Sequence, residues 1–506
     1  MKSRGEQIRN WCYVVDCASA ILFVLLKGER NQVYNVADRN SNVSIKEMAE
    51  IIAEIGNRKV VSEVPDNKEK KGHSVVSKSV FSTLKLQQLG WIPKHTMREG
   101  LISTLEESIL FFFMKILHIS TTDDAGAGQC CLRIHQSLLD AGIESKMVVL
   151  KNTQHSEEEY QYGYYRDKMS KLPSKILSIF ELNLTERNEI NSLNKKYLGA
   201  YTRPVSSIDL TKCEWVGWAD IINLHWVNDY LDYPSFLMKI KKPIVWTLHD
   251  EGFFYGIAHH HNCILADNRL EKKYRKIKYN AIRSAENLSI VFLSQMMNTN
   301  FGNEKIIEGY KKTIIPNSVN TQVFKPHDRV SMRRKYGLNE EKRYFVFISL
   351  NVADPNKGLD LLSDALDNLD TSFEILAIGN NPLKKQWKNV HSVGLVKDQQ
   401  TMSELISSAN YMAMPSFQEA FPQSPMEAMA CGLPVVAFPV SGTSELINNE
   451  NGVICDDFTR EALTTGIETL LSRHYDPVEI RNNMVNRFSP KAVAEKYINL
   501  YNKILL

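Results

Sequence analysis

Residues Pro415–Val436 read PSFQEAFPQSPMEAMACGLPVV, and the order of residue types in them spells strand end, loop, helix and strand. Ser424 is placed to cap a helix, Pro425 suits the first helical position, and Glu427 falls three residues after the cap. Gly432 closes that helix, and Leu433–Val440 is apolar enough for a buried parallel strand. A helix N-terminus beside a loop favours a phosphate. Glu419 and Glu427 are separated by seven residues, which leaves the first in the loop and the second in the first helical turn. Both carboxylates can therefore line one pocket, giving the fixed acceptors that orient a polyhydroxylated ligand. Read without the surrounding run, the same pair is a loop glutamate and a capping-box glutamate.

Ser416, the Glu419/Glu427 pair and the run EAMACGLPVV at Glu427–Val436 resemble the donor-site signature of retaining glycosyltransferases of the GT-B fold, family four (group 1). The resemblance implies an α/β protein with two doubly wound Rossmann-like domains facing a central cleft, here with an N-terminal α/β fragment ahead of them. It places an acceptor-side domain at 114–312, a nucleotide-sugar domain at 313–488 and a final helix, 489–506, packing back across the two. By the same resemblance Glu427 holds the ribose, Glu419 the hydroxyls of the transferred sugar, and Lys357 the donor diphosphate. Val393, Gly394 and Leu395 face the base, and Phe421, Pro422, Gln423 and Ser424 complete the donor loop. His249, which ends the apolar run Pro243–His249, meets the donor sugar; with Glu419 it forms the implied catalytic pair. Gly126 and Gly128, in the loop after the first strand of the domain, lie near the sugar and the acceptor. Two departures bear on activity. Asn356 precedes Lys357 where the family has an arginine nearby, and Pro422, which has no N–H, stands where backbone amides contact the sugar.

Length and composition agree with a soluble, multi-domain protein. The chain has 506 residues, 43% of them hydrophobic and 24% charged. A net charge of +3 gives no field suited to nucleic acid, so no nucleic-acid partner is expected. Eight cysteines without paired spacing read as reduced cytosolic thiols. The apolar runs Ala18–Leu26 and Ile109–Leu117 are too short to span a bilayer. A cytoplasmic protein, at most peripheral at the inner membrane face, is the expectation.

Residues 1–113 are of another kind. The runs WCYVVDCASAILFVLL (Trp11–Leu26), VYNVAD (Val33–Asp38) and LGWIP (Leu89–Pro93) resemble the C-terminal, substrate-side part of extended short-chain dehydrogenases, the nucleotide-sugar epimerases and dehydratases. That resemblance gives Arg9 a place at a substrate diphosphate. Helices are expected over residues 12–27 and 44–56, with a strand at Gln32–Ala37 between them. No glycine-rich dinucleotide fingerprint precedes these runs and no Tyr-x-x-x-Lys pair lies within 1–113, so NAD chemistry is not expected. The segment reads as a truncated remnant that packs poorly, joined near Phe111–Phe113 to a second protein opening at Met114.

Within 114–310, Lys115–Ser120 is a buried strand, Thr121–Gly128 a turn and Gln129–Ala141 a helix. Lys168–Phe180 reads as a surface helix or as a contact for anionic lipid headgroups. His225 is expected to be a buried structural histidine, His259–His261 a mobile loop near the acceptor, and Lys272–Lys278 a basic solvated helix face. No metal-ligand spacing is present, and neighbouring histidines do not converge readily on one ion. The reading is a transferase moving a sugar from a UDP- or GDP-sugar to a glycan or lipid-linked acceptor, in bacterial surface-polysaccharide synthesis. The alternative is a protein that binds nucleotide sugars without turnover.

Overall fold

The computed structural model describes residues 5–55, 59–61, 76–104, 114–151, 162–164, 184–197, 201–264, 266–367, 369 and 372–505. The chain separates into two compact units, Met1–Phe113 and Met114–Leu506.

In the first unit a short strand β1 (Ile8–Asn10) pairs antiparallel with β2 (Asn42–Ser44) and parallel with β3 (Lys78–Ser79). Helices α1 (Val14–Lys27) and α2 (Ile45–Ile55) follow β1 and β2. The WCYV and LGWIP runs meet: Ala20, Leu86 and Trp91 form a small buried cluster, and Trp91 Nε1 donates to Ser19 Oγ at 3.0 Å. Buried Asp16 accepts the backbone N–H groups of Lys94 and His95. Gln32–Ala37 forms no strand: it joins no ladder among the described residues and leaves Val33 exposed, so its apolar content had no sheet to enter.

The second unit contains two parallel sheets. The first is built from β4 (Lys115–Thr122), β5 (Glu144–Lys151), β6 (Tyr162–Tyr164), β7 (Ile221–Leu224), β8 (Ile244–Leu248), β9 (Leu288–Phe292) and β10 (Lys311–Ile314) in the order β10-β9-β8-β7-β4-β5-β6. The second orders β11 (Arg343–Asn351), β12 (Phe373–Asn380), β13 (Val390–Gly394), β14 (Tyr411–Met414), β15 (Val435–Ala437) and β16 (Gly452–Ile454) as β13-β12-β11-β14-β15-β16. Each sheet winds outward from its first strand through two more and then returns to the other side of that first strand, the doubly wound pattern, and the crevice at this switch is where such sheets bind ligands. It lies between β4 and β7 in one sheet and between β11 and β14 in the other. The central strands are buried on both faces, which is why they read as continuous apolar runs.

Helix α3 (Ala125–Asp140) leaves the turn after β4, and α4 (Gln423–Ala430) leaves the loop after β14. Both start earlier than the sequence suggests. Helix α3 takes in Gly126 and Gly128, which therefore belong to its first turn and not to a loop. Helix α4 has Pro422 at its N-cap: a residue in extended geometry without an N–H suits that place, so Ser424 caps nothing and Glu427 falls in the second turn. Helix α5 (Pro490–Leu505) crosses back to the first sheet, where Asn223 Nδ2 donates to Tyr501 Oη at 2.8 Å and Thr247 Oγ1 lies 3.2 Å from Tyr497 Oη. Lys168–Phe180 lies outside the described residues. Among the described residues no helix is long and apolar enough to cross a membrane.

Candidate donor and acceptor site

Because every strand of each sheet runs the same way, the loops after β11, β13 and β14 share one edge of the second sheet. The loops after β11 and β14 touch. The amide of Phe417 donates to Asn356 O at 2.9 Å, and Gly358, at φ +78°, passes so close that a Cβ there would sit 2.2 Å from Pro415 O. Only glycine fits both the angle and the space. That contact brings Lys357 and Glu419 together as an ion pair with Nζ and Oε1 2.6 Å apart.

Glu427 stands on α4, which leaves the loop after β14. Burial pushes its carboxyl up to about 7, against the pull of the Arg133 charge. Arg133 belongs to α3, in the other half of the unit, and its Nη2 donates to Gln423 Oε1 at 2.5 Å. Further contacts run between the halves. Gln418 Nε2 donates to Glu251 at 3.0 Å, Gln399 Nε2 to Gln129 at 3.1 Å, and Ser294 and Ser441 hydroxyls lie 2.6 Å apart. Glu419, Lys357, Gln423 and Glu427 thus stand on one sheet's edge with Arg133 and Glu251 reaching in from the other half.

Other expected residues sit differently. Phe421 turns its ring into the core beside Phe488, so only its backbone is offered to a ligand. Ser424 lies in the first turn of α4, partly exposed. Val393 packs on the domain core, while Gly394 (φ +87°) and exposed Leu395 stand at the carboxyl end of the edge strand β13. Gly128 is required by close packing, since a Cβ would meet Thr122 O at 2.4 Å; Gly126 has open space around it.

His249, just after β8, is half-buried and starts a chain of imidazoles. Its Nε2 lies 2.9 Å from His225 Nδ1, and His225 Nε2 lies 3.0 Å from His118 Nδ1. Burial, with Arg133 adding and Asp250 opposing, brings His249 down to about 4, so the ring is neutral at pH 7 and offers hydrogen bonds without charge. His225 is enclosed between two rings. Its ligand atom, those of His118 and Cys131 lie within 4.8 Å of one another, an arrangement that the imidazole hydrogen bonds already account for.

The His259–His261 segment is built in and is not a free loop. His259 is buried, with its Nδ1 2.6 Å from Asp250 and its Nε2 2.7 Å from Thr202 Oγ1. Buried Glu271 accepts the backbone amides of Gly256, Ile257 and Ala258. Nor is Lys272–Lys278 all solvated: Lys278 is buried and donates to Gly252 O at 2.5 Å, and desolvation lowers it to about 8 against the pull of Asp250, Glu271 and Asp229. Charge alone marked this helix as surface, but its i, i+4 apolar positions turn Lys278 inward with Tyr274 and Ala281. Arg133 and Glu251 were not singled out from sequence. The signal for Arg133 is its position seven residues after Gly126, on one face of a helix that opens at the cleft.

Residues 328–488 match the family model described as Glycosyl transferases group 1, and residues 1–37 match the NAD dependent epimerase/dehydratase family. These are the families that the two sets of motifs resemble. The chain is 24% identical over 207 residues to the N-acetyl-alpha-D-glucosaminyl L-malate synthase of Bacillus anthracis, covering 37% of this chain and 53% of that one. It is 25% identical over 288 residues to the D-rhamnosyltransferase WbpZ of Pseudomonas aeruginosa, covering 53% and 69%. The chain spans about half the length of the first curated relatives it matches. Among solved structures, Anabaena HepE in complex with UDP and glucose superposes with a TM-score of 0.53 at 17% identity, over 77% of this chain and all of that one. The fold of the second unit is GT-B, two Rossmann-like domains on either side of a cleft.

Proposed function

We propose that residues 114–506 form a retaining glycosyltransferase that moves a sugar from a UDP- or GDP-sugar to a glycan or lipid-linked acceptor, in the building of a bacterial surface polysaccharide. The observation that carries this reading is the contact of the β11 and β14 loops at Gly358 and Pro415, which pairs Lys357 with Glu419 at the sheet edge from which α4, carrying Glu427, departs. In this reading Glu427 accepts from the ribose hydroxyls and Glu419 from the hydroxyls of the transferred sugar. Lys357 and the amides at the start of α4 take the diphosphate, whose negative charge grows as the glycosyl bond breaks. Neutral His249 hydrogen-bonds the sugar from the opposite domain. Attack on the same face as departure asks neither glutamate to act as a covalent nucleophile. Protein cations carry the charge stabilisation, with no role assigned to a metal or to NAD. Closure of the two domains keeps water from competing with the acceptor. A lipid-linked acceptor would bring the chain to the inner face of the cytoplasmic membrane. UDP and glucose in HepE and the polysaccharide-related names among the relatives support the class of donor and product.

A second reading, binding without turnover, is favoured by two observations: Lys357 is already neutralised by Glu419, and Pro422 at the cap of α4 has no amide to give. One titration separates the readings from each other and from failure. UDP, GDP and ADP are added to the full chain and to its Glu427→Ala variant, and the thermal midpoint is followed. Stabilisation by one diphosphate, about 2.7 kcal/mol at a hundredfold its Kd, lost in the variant, supports a donor site. Hydrolysis or transfer from the matching nucleotide sugar then supports turnover. No response to any nucleotide overturns both readings.

A further inference from the structure

The donor loop that the family equips with an arginine has none here: Asn356 precedes Lys357, and Lys357 is engaged by Glu419 at 2.6 Å. A diphosphate in this pocket therefore needs another cation. Arg133 is that cation by its surroundings. Arg133 is partly buried, its Nε–H is buried with no acceptor, and the Glu427 carboxyl feels its charge without a salt bridge to it. Its Nη2 spends hydrogen bonds only on neutral groups, the amide oxygen of Gln423 at 2.5 Å and the sulfur of Cys130 at 3.2 Å. A buried N–H donor without an acceptor is costly, so the orphaned Nε–H calls for a partner that the free protein does not supply. An anion's oxygens fit that donor, and Gln423, which Arg133 touches, is the first residue of α4, whose unpaired amides also attract an anion.

Resting on the donor-site reading above, we propose that Arg133 binds the diphosphate of the nucleotide sugar, supplied from the acceptor-side domain in place of the absent loop arginine. The fork of N–H groups suits two phosphate oxygens at once. Because Arg133 stands on α3 while the other donor contacts stand on the second domain, the diphosphate clamp is complete only when the two domains are together. Nucleotide binding and domain closure are thereby one event.

The test uses the full chain and measures binding of UDP, GDP and ADP beside uridine, guanosine and adenosine by calorimetry. Arg133→Ala should weaken the preferred diphosphate at least tenfold and leave its nucleoside unchanged, so that the affinity gap between the two closes. Arg133→Lys should recover part of the loss. Unchanged nucleoside binding shows that the variant is folded. Full diphosphate affinity in Arg133→Ala overturns the assignment and leaves the donor site standing. A loss shared equally by nucleoside and diphosphate overturns it as well. Failure of the unaltered chain to bind any nucleotide overturns the donor-site reading and the Arg133 role together.

Discussion

Helices α1 and α5 have similar lengths and similar apolar periodicity, yet the protein treats them in opposite ways. Helix α5 buries Val493, Ala494, Tyr497, Ile498, Leu500 and Tyr501 against both domains of the second unit. Helix α1 buries only Asp16 and Ala20, and leaves Val14, Ile21, Leu25 and Leu26 in solvent. Periodicity makes a helix possible; a facing surface makes it stable. The first unit has strands of two or three residues and a three-residue buried cluster, whereas the sheets of the second are enclosed by extended cores. The same α/β grammar thus gives a firm fold in one region and a thinly packed one in the other.

Hydrogen exchange on the full chain probes that contrast at its widest. Amides of α1 should exchange roughly a thousandfold faster than those of β8 and β9, on the order of 4 kcal/mol in opening free energy. Equal protection would mean that α1 is covered in solution. Side-chain truncation sharpens the same comparison. Tyr497→Ala should cost about 3 kcal/mol in denaturant unfolding, because it removes a buried ring and its Thr247 contact. Leu25→Ala, at a position 78% exposed, should change stability by less than about 0.5 kcal/mol. A large loss at Leu25 would break the contrast.

A third test moves to the site. The Glu427 carboxyl is raised by burial to about 7 from an ordinary value of 4.5. The folded state therefore holds a proton that the unfolded chain releases, and stability falls as pH rises from about 4.5 to about 7, then levels. With discounting for partial exposure the contribution is about 2 kcal/mol. Unfolding curves at pH 4.5 and 8 should show Glu427→Gln losing less stability over that interval than the unaltered chain. Parallel losses would show that the carboxyl is well solvated.

Much of this was legible in the sequence because it is local. The β14–α4–β15 unit follows from turn, cap and apolar residues within one stretch, and the parallel strands follow from their continuous apolar runs. What was not legible depends on partners far along the chain. The start of α4 lies two residues earlier than expected because Pro422, extended and without an N–H, takes the cap position ahead of Ser424. His259 and Lys278 read as surface until Asp250, Thr202 and Gly252 O are set against them. Gln32–Ala37 has strand composition but no neighbouring strand with an open edge to receive it. Arg133 meets Gln423 across 290 residues of chain, and no spacing rule reaches that far.

The smallest expected effect concerns Lys357 and Glu419. The pair is short, 2.6 Å, but its side chains are 30% and 22% exposed, so solvent screens much of the attraction. A double-mutant cycle with Lys357→Ala and Glu419→Ala should give a coupling of about 0.5–1 kcal/mol in the free protein. In the donor-site reading both partners have better uses: the ammonium turns to phosphate and the carboxylate to sugar hydroxyls. Repeating the cycle with a saturating nucleoside diphosphate should then reduce the coupling toward zero, because the ligand takes the lysine away from the glutamate. An undiminished coupling would mean that the pair is structural, a latch between the β11 and β14 loops. Glu419 would in that case be as much a part of the scaffold as the small cluster around Trp91 is in the first unit, and the sugar contacts would have to come from elsewhere in the cleft.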